Sequence, residues 1–252
     1  MKDLHNRAVR SMDLEISGSR CNPFYTIRHL IGRLGSYHKA AKVLVAASLK
    51  LPRLFDNFKI DKRVSPNLCP LPQLTDNLTT LKGILTRMLS YGHSRLAQYQ
   101  EALEFMDSKF GVYDRFLQIL SKDTFRPRVH AELILLEFFH ENHMSFVDND
   151  RFIACSKPAC YCCYHYINVH PGNFVLPSSH GVRYLNWRPP NPHVENLSDK
   201  KHQRDILNKM AEVIRRDALH QIEQRRGPGT WRSDSTTGIS TSGRQQDSPL
   251  SI

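Results

Sequence analysis

The segment that decides the fold is Val129-His130-Ala131-Glu132-Leu133-Ile134-Leu135-Leu136-Glu137-Phe138-Phe139-His140. It is apolar almost all round, which predicts a helix buried between layers. Farther along, Ser156-Lys157-Pro158-Ala159-Cys160-Tyr161-Cys162-Cys163 predicts a second helix start, with Ser156 as the N-cap and Pro158 in the first turn. The short apolar run 151–155 between the two segments is of strand length. The sequence therefore predicts a helix–strand–helix unit.

The starts of the two predicted helices carry side chains that suit a metal ion. His130 opens the first helix, and Cys160 and Cys163 open the second. A helix N-terminus favours anions, so it helps to hold cysteines as thiolates. One imidazole and two thiolates suit Zn²⁺ and leave a fourth position for water. Glu132 is then placed to take a proton from that water and return it to a leaving amine.

This order of motifs, His-x-Glu followed by proline and Cys-x-x-Cys, is the signature of zinc deaminases that act on nucleobases. With His180-Gly181 and Trp187-Arg188-Pro189, these residues resemble the cytidine deaminase-like superfamily. The similarity is greatest to its fungal branch, which is related to bacterial nucleic acid and nucleotide deaminase toxins. The likeness covers about residues 125–190. In one departure, Pro158 stands two places before Cys160 rather than immediately before it.

The resemblance implies a fold, a metal site and a reaction. The implied fold is α/β, a three-layer α/β/α sandwich around a mixed sheet, here with a mainly helical N-terminal region. Zinc is expected on His130, Cys160 and Cys163, with Glu132 as the catalytic acid and base. The expected reaction is hydrolytic removal of an exocyclic amine. The superfamily also has a β-hairpin ahead of its His-x-Glu helix, and residues 54–64 are the only candidate for it.

The rest of the chain predicts three regions. Apolar residues recur at helical spacing over 25–49 and 75–106, so residues 1–124 are predicted to be a mainly helical N-terminal region. Residues 125–226 are predicted to be the zinc core, with short strands near 174–176 and 182–185 and a closing helix over 197–224. The tail, 227–252, is polar and is predicted to be disordered.

Charge and composition bear on partners and compartment. The chain has 252 residues and a formal net charge of +11, which favours an anionic partner. The expected partner is a nucleobase-containing substrate, as free nucleotide or nucleic acid. A polar N-terminus and the lack of a long apolar stretch predict an intracellular protein with no membrane partner, in the cytoplasm or nucleus. The sequence leaves the oligomeric state open.

Several alternatives remain open at this point. The same ligands suit a catalytically inactive, zinc-stabilised binding or scaffold domain, and the charge suits a nucleic-acid-binding protein with an incidental metal. Cys160 and Cys163 are also compatible with a structural Cys₂His₂ site completed by His165 and His170, or with plain burial. His140 and His143 lie at the far end of the first helix, about 15 Å from His130, and are predicted to be surface residues. Trp187 is predicted to be a core or lid residue.

Overall fold

A computed structural model describes residues 23–56, 58–66, 75–76, 78–122, 125–191 and 197–227. The chain divides into two compact units. The first comprises residues 1–62 with 235–252, and the second comprises residues 63–234. All candidate site residues belong to the second unit.

The first unit contains a long helix, α1, Pro23–Lys50, and a single turn, α2, Arg53–Asp56. The apolar periodicity over 25–49 predicted α1, and Pro52 lies in the turn after it. The apolar side chains of α1 are largely exposed, among them Leu34 at 72% and Leu49 at 80%. Residues 58–66 form no strand, so the candidate hairpin near 54–64 is not found in the part of it that is described.

Three helices of the second unit precede the motif segment. They are α3, Leu81–Met88; α4, Leu96–Phe110; and α5, Val112–Leu120. The helical pattern over 75–106 is thus interrupted, and Gly92 adopts a positive φ of 72° in the break. These helices share an apolar core that comprises Leu85, Tyr99, Ala102, Leu103, Met106 and Ile222. Since Ile222 belongs to the last helix of the chain, this core joins the N-terminal helices to the C-terminal one.

A second core surrounds the motif segment. Its elements are α6, Ala131–Glu141; a 3₁₀ turn, Val147–Asn149; α7, Tyr161–Val169; and the closing helix α8, Leu197–Glu223. Leu133 and Leu136 of α6 and Cys163 of α7 are fully buried there. Helix α8 covers α7 and adds Ile206 and Met210 to the core. The buried helices predicted around 129–140 and after Pro158, and the closing helix, are therefore present.

The predicted three-layer α/β/α sandwich is wrong. The described residues are mostly helical and contain no β-sheet. Among the described residues, the extended segments form two isolated parallel bridges, Arg128 with Trp187 and Ala159 with Ser179, and a further backbone hydrogen bond from the Val175 N–H to the Arg151 carbonyl. The runs expected to be strands are too interrupted to form ladders, because Asn173 and Gly181 have φ values of 51° and 67° and Pro177 between them has no N–H to donate.

The predicted division at residues 124 and 226 stays a prediction. Residues 228–252 of the predicted tail lie outside the described residues, as do residues 1–22. Within the described ranges, no helix combines the length and the apolar character needed to cross a membrane.

Candidate metal centre and active site

Two helix starts position the predicted ligands. His130 is the N-cap residue of α6, and its carbonyl oxygen accepts hydrogen bonds from the Leu133 and Ile134 N–H groups at 3.1 and 3.3 Å. Cys160 is the N-cap residue of α7, and its sulfur accepts a hydrogen bond from the Cys163 N–H at 3.4 Å. The predicted cap at Ser156 is therefore four residues too early. Both side chains lie at a helix N-terminus, where the helix dipole favours negative charge.

His130, Cys160 and Cys163 converge on one point. The His130 Nδ1 atom lies 3.5 Å from Cys160 Sγ and 3.3 Å from Cys163 Sγ. Both cysteines are free thiols and both are buried. The two bridges of the extended segments anchor this point, because Arg128 precedes His130 and Ala159 precedes Cys160. The three ligand atoms lie within 4.8 Å of one another, as a metal site requires.

The same contacts shift the pKa values of the three groups. Hydrogen bonding with the Cys163 thiol and with His130 lowers the pKa of Cys160 to about 5, against the effect of burial. The Cys160 thiolate and burial in turn raise the pKa of Cys163. The hydrogen bond with Cys160 raises the pKa of His130 above its usual range. Without metal, these contacts favour the thiolate form of Cys160, the thiol form of Cys163 and the protonated form of His130.

Trp187 contacts this cluster directly. Its indole Nε1–H donates a hydrogen bond to Cys163 Sγ at 3.3 Å. A donor aimed at a thiolate stabilises the charged form and orients the ligand. Trp187 also packs against the surrounding core, so the core prediction was right but incomplete. No pattern in the sequence predicts the N–H···S contact, because its two partners lie 24 positions apart.

Glu132 lies beside the three ligand atoms at the wall of a cavity. Its Oε1 atom is 3.8 Å from His130 Nδ1, and 15% of its side chain is exposed. The cavity has a volume of about 590 Å³ and is also lined by His130, Cys160, Tyr184 and Asn186. This volume is typical of small-ligand sites. The Tyr184 ring meets His130 edge-on, with the two centroids 5.7 Å apart.

The ligand atoms fit zinc. A tetrahedral zinc ion with ordinary Zn–N and Zn–S bonds places its nitrogen and sulfur ligands about 3.6 Å apart. The observed separations of 3.3 and 3.5 Å are close to that value. The softness of two thiolates and the borderline character of imidazole also suit zinc. Among the described residues, the group contains these three ligands and no fourth histidine, cysteine or carboxylate.

The other residues singled out in the sequence lie elsewhere. His170 belongs to a separate cluster with His140 and His202, so it does not complete a Cys₂His₂ site with the cysteine pair. His140 is half-buried, which corrects its prediction as a surface residue, whereas His143 is exposed. Cys162 packs against the core.

A comparison with known proteins found a match to one family model. Residues 129–191 match the model of a family described as "OTT_1508_deam:-like deaminase". This confirms the likeness to the deaminase-like superfamily for that part of the chain, whereas the fungal branch stays a prediction. No curated protein and no solved structure matches the chain.

Proposed function

We propose, from the deaminase-like segment 129–191, that the protein is a zinc-dependent hydrolytic deaminase of a nucleobase. One observation carries the proposal. Three ligand atoms with zinc-like spacing lie beside the Glu132 carboxylate, and His130, Cys160 and Glu132 line one cavity. The Glu132 side chain is only 15% exposed, so its carboxylate needs a compensating partner, and a reacting water provides one. The metal's identity and the substrate are parts of the proposal.

Each residue of the site has its own role in the proposed reaction. His130, Cys160 and Cys163 would hold zinc, and a zinc ion so bound supplies Lewis acidity that brings the pKa of water to about 7. Glu132 accepts a proton from the attacking water and delivers it to the leaving amine. Trp187 fixes the Cys163 sulfur through its N–H bond. Each proton that Glu132 takes is given back within the same turnover, so the carboxylate is regenerated.

The cavity wall supports a planar, phosphate-bearing substrate. Tyr184 and His180 both line the cavity, and their ring centroids are 6.1 Å apart. Aromatic rings in such a pocket stack on a base. Arg128 and Lys157 lie on the same wall, and the chain has a net charge of +11. We therefore place the base against Tyr184 and direct the phosphate toward these two cations.

The experiment is an ammonia-release assay on the zinc-loaded protein. Cytidine, adenosine, guanosine, their monophosphates and single-stranded oligonucleotides serve as substrates. We expect turnover with at least one of them by the wild type. Glu132→Gln is isosteric and keeps the helix, so it should retain zinc and lose about 10²- to 10⁴-fold in turnover, the usual contribution of general acid–base catalysis. Glu141→Gln, at the other end of α6, is the matched control and should keep full turnover.

The same variants separate the proposal from its main rival, a zinc-stabilised scaffold. In the rival, Glu132 closes the site as a fourth ligand, since structural zinc sites are four-coordinate. Glu132→Gln would then release zinc or weaken its binding sharply, and no base would yield ammonia. Full activity in Glu132→Gln would refute the role given to this carboxylate.

A further inference from the structure

A second cluster of imidazoles lies at the opposite end of α6. His140 ends this helix, His170 follows α7, and His202 lies on α8. Their ring centroids are 4.7 to 5.0 Å apart, and one ligand nitrogen of each lies within 4.8 Å of the others. Ten residues separate His130 from His140 along one helix, which corresponds to about 15 Å. The cluster is therefore distinct from the centre at Cys160 and Cys163.

The hydrogen bond from Gly172 decides the role of His170. The Gly172 N–H donates to His170 Nδ1 at 3.0 Å, so neutral His170 carries its proton on Nε2. A Cβ at residue 172 would lie 2.9 Å from that Nδ1 atom and 2.5 Å from the Phe174 ring, so the close approach requires glycine. The side chain of His170 is fully buried, and its Nε2 atom lies 3.3 Å from Glu137 Oε1. The Nε2 side of His170 therefore faces the carboxylate at 3.3 Å, although without an aligned hydrogen bond.

Glu137 presents its two oxygens to different partners. Oε1 accepts a hydrogen bond from the Tyr166 hydroxyl at 2.5 Å and faces His170. Oε2 lies 3.8 Å from His202 Nε2, which is buried and has no aligned hydrogen-bond partner among the described residues. The contacts with His170 and Tyr166 hold the pKa of Glu137 below its usual range, although burial acts to raise it. One oxygen of a charged carboxylate is thus already oriented, and the other points toward an unpartnered nitrogen.

His140 completes the group. Its ring is stacked on that of His202, with an interplanar angle of 16°. Burial and the neighbouring imidazoles of His170 and His202 lower the pKa of His140. Glu137, His140 and His202 line one cavity of about 480 Å³, which gives an ion a route in and room for water. A neutral imidazole is the form that binds a metal.

We propose that His140 and His202, whose ligand nitrogens lie within 4.8 Å of each other, form with Glu137 Oε2, 3.8 Å from His202 Nε2, a second binding site for a divalent transition-metal ion such as Zn²⁺. His170 and Tyr166 are positioning residues that orient the Glu137 carboxylate, as partners behind metal ligands commonly do. The ligand set of two imidazoles and one carboxylate suits zinc, iron and nickel rather than calcium. Since Glu137 and His140 belong to α6 and His202 to α8, the ion clamps the closing helix onto the core.

The test counts metal in the full-length protein with Zn²⁺ as the probe. After loading and removal of free ion, we expect two zinc ions per wild-type chain by elemental analysis. Cys163→Ser should retain one, His202→Asn should retain one, and the double variant should retain none. His220→Asn changes an exposed histidine on the same helix and should leave two. His140→Asn, at a half-buried position, repeats the test should His202→Asn fail to fold.

A cobalt spectrum identifies which site is filled. In Cys163→Ser, bound Co²⁺ should show visible ligand-field bands, and replacing His202 or His140 should abolish them or weaken binding by about tenfold or more. One zinc per wild-type chain that disappears entirely in Cys163→Ser would overturn the second site. One zinc that instead persists in Cys163→Ser and disappears in His202→Asn would support it while refuting the cysteine centre. The results that would refute the second metal site therefore differ from those that would refute the cysteine centre.

Discussion

The hydrogen bond between Trp187 and Cys163 makes a quantitative prediction about zinc affinity. Trp187→Phe keeps an aromatic ring against the core and removes the indole N–H, which lies 3.3 Å from the Cys163 sulfur. A hydrogen bond to a charged group contributes about 1.5–3 kcal/mol. Since about 1.4 kcal/mol corresponds to a factor of ten, the dissociation constant for zinc should rise about 10- to 100-fold.

The assay is competition against a chromophoric zinc chelator at constant pH. Tyr164→Phe is the matched control, because Tyr164 lies on the same helix as Cys163 and packs against the same core. Its dissociation constant should equal that of the wild type. The loss of stability in Trp187→Phe should also be confined to the metal-bound state. In excess chelator, the thermal unfolding temperatures of Trp187→Phe and wild type should therefore differ less than they do with zinc bound. A dissociation constant within twofold of wild type would show that the N–H···S bond does not tune this centre.

Three further predictions concern packing, helix docking and pH. Leu133→Ala leaves a cavity at a fully buried position and should lower the free energy of unfolding, measured by urea titration, by about 2–5 kcal/mol. Leu185→Ala, at a 52% exposed position, is the control and should change it by less than about 0.5 kcal/mol. Tyr161→Phe removes the 2.7 Å hydrogen bond to Asp217 that joins α7 to α8, and should cost about 0.5–1.5 kcal/mol in the same titration. The pKa of Cys160 is lowered to about 5 in the folded protein, against about 8.5 in the unfolded chain. In chelator-treated protein, the Cys160 thiolate therefore stabilises the fold fully above about pH 8.5, and this contribution is lost as the pH falls toward 5. Ultraviolet absorbance of the thiolate should show this titration in the wild type and not in Cys160→Ser.

The candidate centre was predictable because its signals are local. His130 and Glu132 are two residues apart, and Cys160 and Cys163 are one helical turn apart. Apolar periodicity and the motifs themselves predict helices that begin near these residues, although the predicted cap at Ser156 lies four residues before the observed cap at Cys160. Whether His130, Cys160 and Cys163 bind zinc, and whether Glu132 transfers protons, are predictions that the experiments above test.

The sheet was not predictable from runs of apolar residues. Short runs such as 174–176 and 182–185 have strand-like composition, yet pairing depends on backbone angles and on distant partners. Asn173 and Gly181 turn the chain with positive φ, and each bridge is a single contact. The resemblance to the superfamily led to the wrong fold prediction, because it implied a mixed sheet and the described residues form none.

Contacts over long sequence distances account for the rest of the site. Trp187 reaches Cys163 across 24 positions, and His170 reaches Glu137 only because α6 and α7 pack together. Periodicity shows that His140 lies far from His130, but it does not show that His202 approaches His140 from α8. The second histidine cluster was missed for that reason.

The bridge between Arg128 and Trp187 also constrains when the cysteine centre is completed during folding. Its partners lie about sixty residues apart, and closing such a loop carries an entropic penalty that contacts formed afterwards must offset. On the ribosome, α6 emerges before Trp187 exists, and α8 emerges later still. Domains fold as their residues become available during synthesis. Cys160 and Cys163 follow His130 by about thirty residues, so the three ligands are synthesised before Trp187, and the centre with its N–H···S bond is completed only after Trp187 has emerged.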